Sequence, residues 1–206
     1  MIYLIRLLFL FRANFKSRHQ NGQIASEGRF RRGKPHGPWT FFYEDGTKKS
    51  ETHFLNGLWH GESILWHPNG MLKGKGAYKN GKVEGTWEAY FDNGQFEKVF
   101  TVIDGKMHGK YTEHYPNGQI KRMGVMAYDQ AVGEWLTYFD TGELKSRLIV
   151  GKQPGEGVMT IFYKNQQKRR EGTYINKTQE HGLWTYWTEQ GEWDAEIEYD
   201  HGKVIS

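Results

Sequence analysis

Histidine recurs at one position of this sequence, directly before a regularly spaced glycine. The four histidines are His36, His60, His108 and His181, and Glu84 and Glu156 occupy the same position in other copies. Imidazole is a common metal ligand, but the ligands of one zinc ion must all lie about 2.0–2.3 Å from it. If the chain forms a sheet of hairpins, equivalent residues lie about 10 Å apart. We therefore predict a structural role in turns and no shared metal site within this set.

Other groups that could support chemistry are no stronger. Gly74-Lys75-Gly76 falls inside a predicted strand with no helix after it, so it does not fit a phosphate-binding loop. Glu196 and Glu198 lie two residues apart and fit a solvated strand face. The chain has no cysteine, which excludes disulfides and a thiol nucleophile. We predict a protein that is not an enzyme, with no catalytic residues, no metal and no cofactor.

Two sets of glycines recur at intervals of about two dozen residues, which indicates a tandem repeat. The first set is Gly37, Gly61, Gly85, Gly109, Gly133, Gly157 and Gly182. The second set, predicted to form structural turns, is Gly22, Gly46, Gly70, Gly94, Gly118, Gly142 and Gly191. Asn-Gly in the second set predicts type I′ hairpin turns, in which both residues have positive φ. We expect the two sets to mark the two turns of each hairpin.

Between the turns, side chains alternate as in strands. Trp87, Ala89 and Phe91 fall on one face, and Glu88 and Tyr90 fall on the other. The 26 glycines and 16% aromatic residues also favour short strands and tight turns. The predicted fold is all-β: an elongated, single-sheet antiparallel β-meander of about seven hairpin repeats of about 24 residues each. The predicted domains are an N-terminal segment, residues 1–20, and a repeat domain, residues 21–206.

The N-terminal segment begins with the apolar run MIYLIRLLFLF, followed by Arg12, Lys16 and Arg18. The run is shorter than the roughly 20 residues that a helix needs to span a bilayer. Its charges follow the apolar residues, unlike a secretory signal. Three alternatives remain open: a cap on the end of the repeats, a membrane contact, and a truncated or uncleaved signal. We expect a location in the cytoplasm or at the inner face of a membrane, with secretion as the third alternative.

Two further columns of equivalent residues predict an interaction surface. The aromatic column is Phe42, Trp66, Tyr90, Tyr138, Phe162 and Trp187. The basic column is Lys49, Lys73, Lys121, Lys145 and Arg169, with Lys75 and Arg147 two residues further on. Cations beside aromatic rings suit an acidic protein, anionic lipid or single-stranded nucleic acid, whereas lysines that only confer solubility are the plain alternative. Because the net charge is only +4, we expect no nucleic-acid partner.

The segment Gly85 to Glu97, GTWEAYFDNGQFE, follows the pattern G-x-W-x-x-Y-x-x-N-G. It resembles the MORN repeat, and more closely the bacterial variant found in YwqK-type antitoxins. The linkers NGKVEG at residues 80–85 and DGKMHG at residues 104–109 are similar to the same family's turn sequence. The resemblance covers nearly everything after residue 21. It departs at Gln166, which replaces a turn glycine, and at Asp129 and Gln153, which replace glycines of the linking turns.

The resemblance implies a binding role. MORN repeats serve as protein-interaction arms, dimerisation modules and proposed phospholipid-binding surfaces, and the antitoxin relationship implies an inhibited partner. We therefore predict a non-catalytic scaffold that binds another protein, with antitoxin-like inhibition and self-association as extensions. The alternative function is attachment to an anionic membrane through the N-terminal segment.

Overall fold

The computed structural model describes residues 13–153, 155–176 and 179–206; the apolar run at residues 1–11 lies outside them. In these ranges the chain forms 19 strands and no helix. The strands are β1 Ala13–Arg18, β2 Ile24–Arg31, β3 Lys34–Pro35, β4 Gly37–Phe42, β5 Lys48–Leu55, β6 Leu58–Trp66, β7 Leu72–Lys79, β8 Lys82–Tyr90, β9 Phe96–Ile103, β10 Lys106–Met107, β11 Gly109–His114, β12 Ile120–Ala127, β13 Gln130–Tyr138, β14 Leu144–Val150, β15 Gly157–Phe162, β16 Lys168–Ile175, β17 Gln179–Trp187, β18 Trp193–Asp200 and β19 Lys203–Val204.

The strands fall into two compact units. Of the described residues, the first unit contains those up to 96 and residues 101–105, and the second contains residues 97–100 and those from 106 to 206. In the first unit, the chain runs up and down through antiparallel pairs from β1 with β2 to β7 with β8. In the second, the same pattern runs from β11 with β12 to β18 with β19. The prediction of an all-β antiparallel meander of hairpins is confirmed.

Part of the predicted N-terminal segment belongs to this meander. Strand β1 pairs with β2 in antiparallel register, with Phe15 opposite Gly28 and Ser17 opposite Ser26. The Ser17 and Ser26 hydroxyls lie 2.7 Å apart. The structure therefore places residues 13–18 against the first repeat, while the division into domains at residue 20 stays a prediction. No helix long and apolar enough to cross a membrane occurs in the described ranges.

The turns that contain the second glycine set are not type I′, so that prediction is wrong. Gly70 has φ of +82°, but Asn69 before it is not among the residues with positive φ. The Asn69 Oδ1 accepts a hydrogen bond from the Met71 N–H at 3.0 Å, which holds the asparagine in a right-handed turn. A glycine in the left-handed region then completes a bulged hairpin turn. Glycines at all seven positions of this set share φ values between 82° and 102°.

Type I′ turns instead connect one repeat to the next. Asn80 and Gly81 have φ of +52° and +82°, and Asp104 and Gly105 have +52° and +79°. Four glycines of the first set, Gly61, Gly85, Gly133 and Gly182, lie inside strands at positions where the register with the preceding strand shifts. All four have positive φ, as Gly85 does at +76°. They form β-bulges rather than turns, because the left-handed region accommodates the extra residues of a bulge without breaking the strand.

A row of side chains across the strands forms the core of each unit. In the first unit, Trp39 lies opposite Thr52, Thr52 opposite Ser63, and Ser63 opposite Gly76. Trp39, Thr52 and Ser63 are buried, with exposed fractions of 5%, 6% and 5%. In the second unit the row contains Trp135, Leu148, Met159, Gly172 and Trp184, and Trp184 is 2% exposed. The core is thus a thin line of side chains that crosses many short strands.

Candidate functional site

The predicted aromatic column is half-buried at each of its six positions. Its rings contact neighbours in the same hairpin or the next one. The Tyr90 ring lies 5.2 Å from the Phe96 ring, and the ammonium groups of Lys48 and Lys168 lie 5.8 and 5.4 Å from the rings of Trp66 and Trp187. These contacts stabilise the hairpins and leave part of each ring accessible.

Four residues of the predicted basic column lie over a different set of rings, which sequence reasoning missed. We call these the turn rings. Tyr43, Phe139 and Tyr163 each follow a member of the aromatic column by one residue, and Tyr115 follows His114 at the equivalent position. The cations of Lys49, Lys121, Lys145 and Arg169 lie 5.6, 5.9, 5.6 and 5.8 Å from the ring centroids of Tyr43, Tyr115, Phe139 and Tyr163, in the same order. A cation within about 6 Å of a ring is attracted to its face. The basic residues therefore do lie beside rings, but the rings belong to the adjacent column.

Hydrogen bonds fix the three tyrosines among the turn rings in place. The Tyr43 hydroxyl donates to the Trp66 carbonyl at 2.8 Å, and the Tyr115 hydroxyl donates to the Tyr138 carbonyl at 3.0 Å. The Tyr163 hydroxyl donates to the Trp187 carbonyl at 3.0 Å. Each bond joins one turn to the end of a strand in the following repeat. A side chain placed on such a ring is consequently held at a defined position along the turn edge.

Salt bridges divide the basic residues into two classes. Lys75 and Arg147 lie 3.1 and 2.5 Å from carboxylates of Glu88 and Glu134, which neutralise them. Lys121 is also paired, at 2.8 Å from Glu113. In contrast, Lys49, Lys73, Lys145 and Arg169 are exposed and have no ion pair with any described residue. Lys49 and Lys73 belong to the first unit, and Lys145 and Arg169 belong to the second. We call Lys145 and Arg169 the free basic edge.

Two of the carboxylates that form these salt bridges have shifted pKa values. The pKa of Glu88 is lowered, first by a hydrogen bond from the Tyr90 hydroxyl and then by Lys75, and the same bond raises the pKa of Tyr90 to about 12. Burial of Glu113 opposes ionisation, but bonds and charge from Lys121 and Arg122 outweigh it and lower the pKa. These shifts hold both carboxylates ionised as acceptors for neighbouring side chains, and neither group lies in a catalytic arrangement with a nucleophile.

The predicted histidine column faces the type I′ turns. The Nδ1 atoms of His36, His60, His108 and His181 are buried without a hydrogen-bond partner. The His108 ring packs against Tyr128 at 4.5 Å, which agrees with a structural role for that histidine. His181 differs from the others because Asp200 and His201 lie next to it. Sequence reasoning missed these two residues because it considered only the column and not the residues that face it.

The hairpins β4–β5, β6–β7 and β11–β12 share one internal plan: a strand, a bulged Gly turn, a return strand and a type I′ turn. Three segments of the chain match the model of the MORN repeat variant. They are residues 35–56, 59–80 and 107–126. The MORN segments at residues 35–56 and 59–80 contain the hairpins β4–β5 and β6–β7, and the third contains β11–β12. MORN repeats are a non-catalytic repeat type associated with binding of proteins or membranes. A comparison with curated proteins found no match.

The signal for the turn rings was present in the sequence. An aromatic or histidine residue precedes the turn glycine by three positions in successive copies, as at Tyr43, His67 and Phe91. His67 acts like the tyrosines, because its Nε2 lies 2.8 Å from the Tyr90 carbonyl oxygen. Sequence reasoning selected the preceding column because it completes the MORN pattern. The rings that lie under the basic residues are therefore one position after the predicted aromatic column.

Proposed function

We propose that this protein is a non-catalytic scaffold that binds an acidic segment of another protein along the free basic edge. The observation that carries the proposal is the arrangement of Lys145 and Arg169. Both cations lie over rings, at Phe139 and Tyr163, and neither has a carboxylate partner among the described residues. The Lys164 ammonium also lies 5.5 Å from the centroid of the Phe139 ring. Exposed cations held at intervals along a rigid edge suit carboxylates on a partner chain.

The physical chemistry favours a protein partner over simple solubility. A lysine that only confers solubility does not need a fixed position, whereas Lys145 and Arg169 both lie on rings, and the ring under Arg169 is itself hydrogen-bonded to the next repeat. Fixing a long side chain before binding reduces the entropy lost on association. The antitoxin-like resemblance extends the proposal: the bound partner would be inhibited when its acidic segment is covered.

The test compares two charge-neutralised variants of the full chain. K145Q/R169Q removes both cations of the free basic edge, and K75Q/R147Q removes two cations that are already paired with Glu88 and Glu134. Both variants lose the same net charge. A partner is first isolated by affinity purification from the native cell and identified, and its binding is then measured with purified components at low and physiological salt.

We expect K145Q/R169Q to weaken binding by about tenfold and to reduce its salt dependence, because each lost contact contributes about 1 kcal/mol or less at an exposed site. K75Q/R147Q should bind nearly as the parent does. Equal weakening by both variants would contradict the free basic edge as the interface. Binding to vesicles of anionic lipid, lost on removal of residues 1–12 and unaffected by K145Q/R169Q, would favour the membrane alternative.

A further inference from the structure

Three side chains with metal-binding atoms meet at the last hairpin of the second unit. His181 lies on β17, Asp200 ends β18, and His201 follows it in the turn to β19. The His201 Nδ1 is 2.6 Å from the Asp200 Oδ1, and the His181 Nδ1 is 3.5 Å from the same oxygen. The two imidazole rings are 5.4 Å apart. One ligand atom from each residue lies within 4.8 Å of the other two.

The register of the strands brings these residues together. Gly182 pairs with Tyr199, so His181 faces Asp200 directly across the ladder. His201 then occupies the first position of the type I′ turn, with φ of +50°, and its ring turns back towards His181. In the hairpin of His108, Gly109 pairs with Met126. Ala127 therefore occupies the position relative to His108 that Asp200 occupies relative to His181. Within the described ranges, only this last hairpin brings three metal-ligating residues together.

We propose that His181, Asp200 and His201 form a binding site for one divalent transition-metal ion, with zinc as the best-fitting example. Two imidazole nitrogens and one carboxylate oxygen suit zinc, copper or nickel, whereas magnesium and calcium prefer oxygen ligands alone. Zinc holds such ligands at about 2.0–2.2 Å, so its ligand atoms are about 3.3 Å from each other. In the cluster, the separations from the Asp200 Oδ1 are 2.6 and 3.5 Å, on either side of that value, and all three ligand atoms lie within 4.8 Å of one another.

Burial and exposure at the cluster are consistent with an ion that enters from solvent. The side chains of His181, Asp200 and His201 are 44%, 56% and 61% exposed. The His181 Nδ1 itself is buried and has no hydrogen-bond partner, so an ion placed between it and Asp200 would give it a ligand role. Three protein ligands leave a further coordination position open to water. A bound ion would also join β17 to the turn that closes β18 and β19.

The test uses zinc chloride and the full chain. Isothermal titration should show one zinc ion per chain, and zinc should raise the thermal midpoint because it binds only the folded hairpin. H201A removes a ligand from an exposed turn, and it should lower zinc affinity by more than about tenfold. D200N should do the same. Nitrogen chemical shifts of the imidazole side chains should change on zinc addition for His181 and His201, which identifies the coordinating atoms.

H108A is the matched control, because His108 occupies the same column as His181. Its ring also packs on a residue of a type I′ turn, Tyr128. It should bind zinc as the parent does. The proposal is overturned if the parent chain binds no zinc at micromolar concentrations, or if H201A and D200N retain parental affinity. Should H181A fail to fold, H201A and D200N still decide the outcome, since both change exposed positions.

Discussion

The indole of Trp87 covers the backbone of Gly76 on the neighbouring strand. A Cβ atom built on Gly76 would overlap the six-membered ring of Trp87. The same relationship recurs in every second repeat, between Gly28 and Trp39, Gly124 and Trp135, and Gly172 and Trp184. In the copies between them, paired residues such as Thr52 and Ser63 fill the position instead. The stacking of tryptophan on glycine therefore recurs every two hairpins, and side-chain pairs of varied size, such as Thr52 with Ser63 and Leu148 with Met159, lie between.

This relationship predicts that Gly76→Ala destabilises the protein by about 1–3 kcal/mol, because the added methyl group must displace the Trp87 ring. Urea unfolding followed by tryptophan fluorescence measures the effect. In a Trp87→Leu background the same substitution should cost clearly less, since the ring is gone. An equal cost in both backgrounds would show that the ring is not the obstacle.

Gly70→Ala separates this clash from backbone strain. A Cβ on Gly70 meets no atom within 4 Å, but its φ of +82° disfavours any residue other than glycine. The expected cost is about 1–2 kcal/mol, and it arises from the backbone alone. Unlike Gly76→Ala, this change should have the same cost with or without Trp87.

The hydrogen bonds of the turn rings predict a second pair of effects. Tyr115→Phe removes the hydroxyl that donates to the Tyr138 carbonyl, and should lower the free energy of unfolding by about 0.5–1.5 kcal/mol. Phe139→Tyr adds a hydroxyl at the equivalent position of the next repeat and should stabilise the protein by a similar amount. Tyr128→Phe is the control, because Tyr128 is 54% exposed on the turn. Thermal melts of the three variants measure these changes. If Tyr115→Phe and Tyr128→Phe changed the melting temperature equally, the role of these bonds would be contradicted.

The salt bridges around Glu113 predict a pH dependence of stability. Its pKa is lowered from 4.5 in the folded chain, so the ionised carboxylate stabilises the fold above that pH. Acidification through the folded pKa protonates it, and this stabilisation is lost. Glu113→Gln should cost about 1–3 kcal/mol near pH 7, because Arg122 and Lys121 lose their anionic partner at a side chain only 16% exposed.

Between about pH 7 and about pH 3, the parent should lose more stability than Glu113→Gln, which has no carboxylate to protonate there. Glu134→Gln provides the comparison: its side chain is 44% exposed and pairs with Arg147, itself 52% exposed. Such an exposed pair contributes little, so that variant should follow the parent. If both variants show the same pH profile as the parent, Glu113 does not control acid stability.

The hairpin architecture could be predicted because its determinants are local. Glycine spacing and strand alternation are read directly along the chain, and both indicated the meander that the strands form. The turn types were interchanged because Asn-Gly fits a type I′ turn in isolation, whereas the Asn69 side chain bonds to the backbone and changes the turn. The Asn69 amide also donates to the Asp92 carbonyl of the following repeat at 2.6 Å, a contact that the local sequence does not reveal.

The candidate site was less predictable for a related reason. Its basic residues could be identified by their column, but the partners that distinguish Lys75 from Lys145 lie on other strands. The cluster of His181, Asp200 and His201 depends on cross-strand register in the same way. A bulge shifts that register, and its size is not visible in the spacing of glycines alone.

Gln166 predicts that the chain can be stabilised by restoring one glycine. It occupies the turn position held by glycine in the other repeats, with φ of +69°, and its N–H donates to the Tyr163 carbonyl at 3.0 Å. The turn thus keeps its form at the expense of about 1–2 kcal/mol of backbone strain. Gln166→Gly removes this strain but also raises the entropy of the unfolded chain and deletes an exposed bond from Nε2 to the Leu144 carbonyl.

The expected net result is a gain of about 0.5–1 kcal/mol, measured by urea unfolding. Asn80→Gly is the matched control: Asn80 also has positive φ, at +52°, but asparagine tolerates that region and its replacement should give no comparable gain. If Gln166→Gly were neutral or destabilising while Asn80→Gly stabilised the protein, the side-chain bond of Gln166 would outweigh its strain. Glutamine at position 166 would then stabilise this turn relative to glycine.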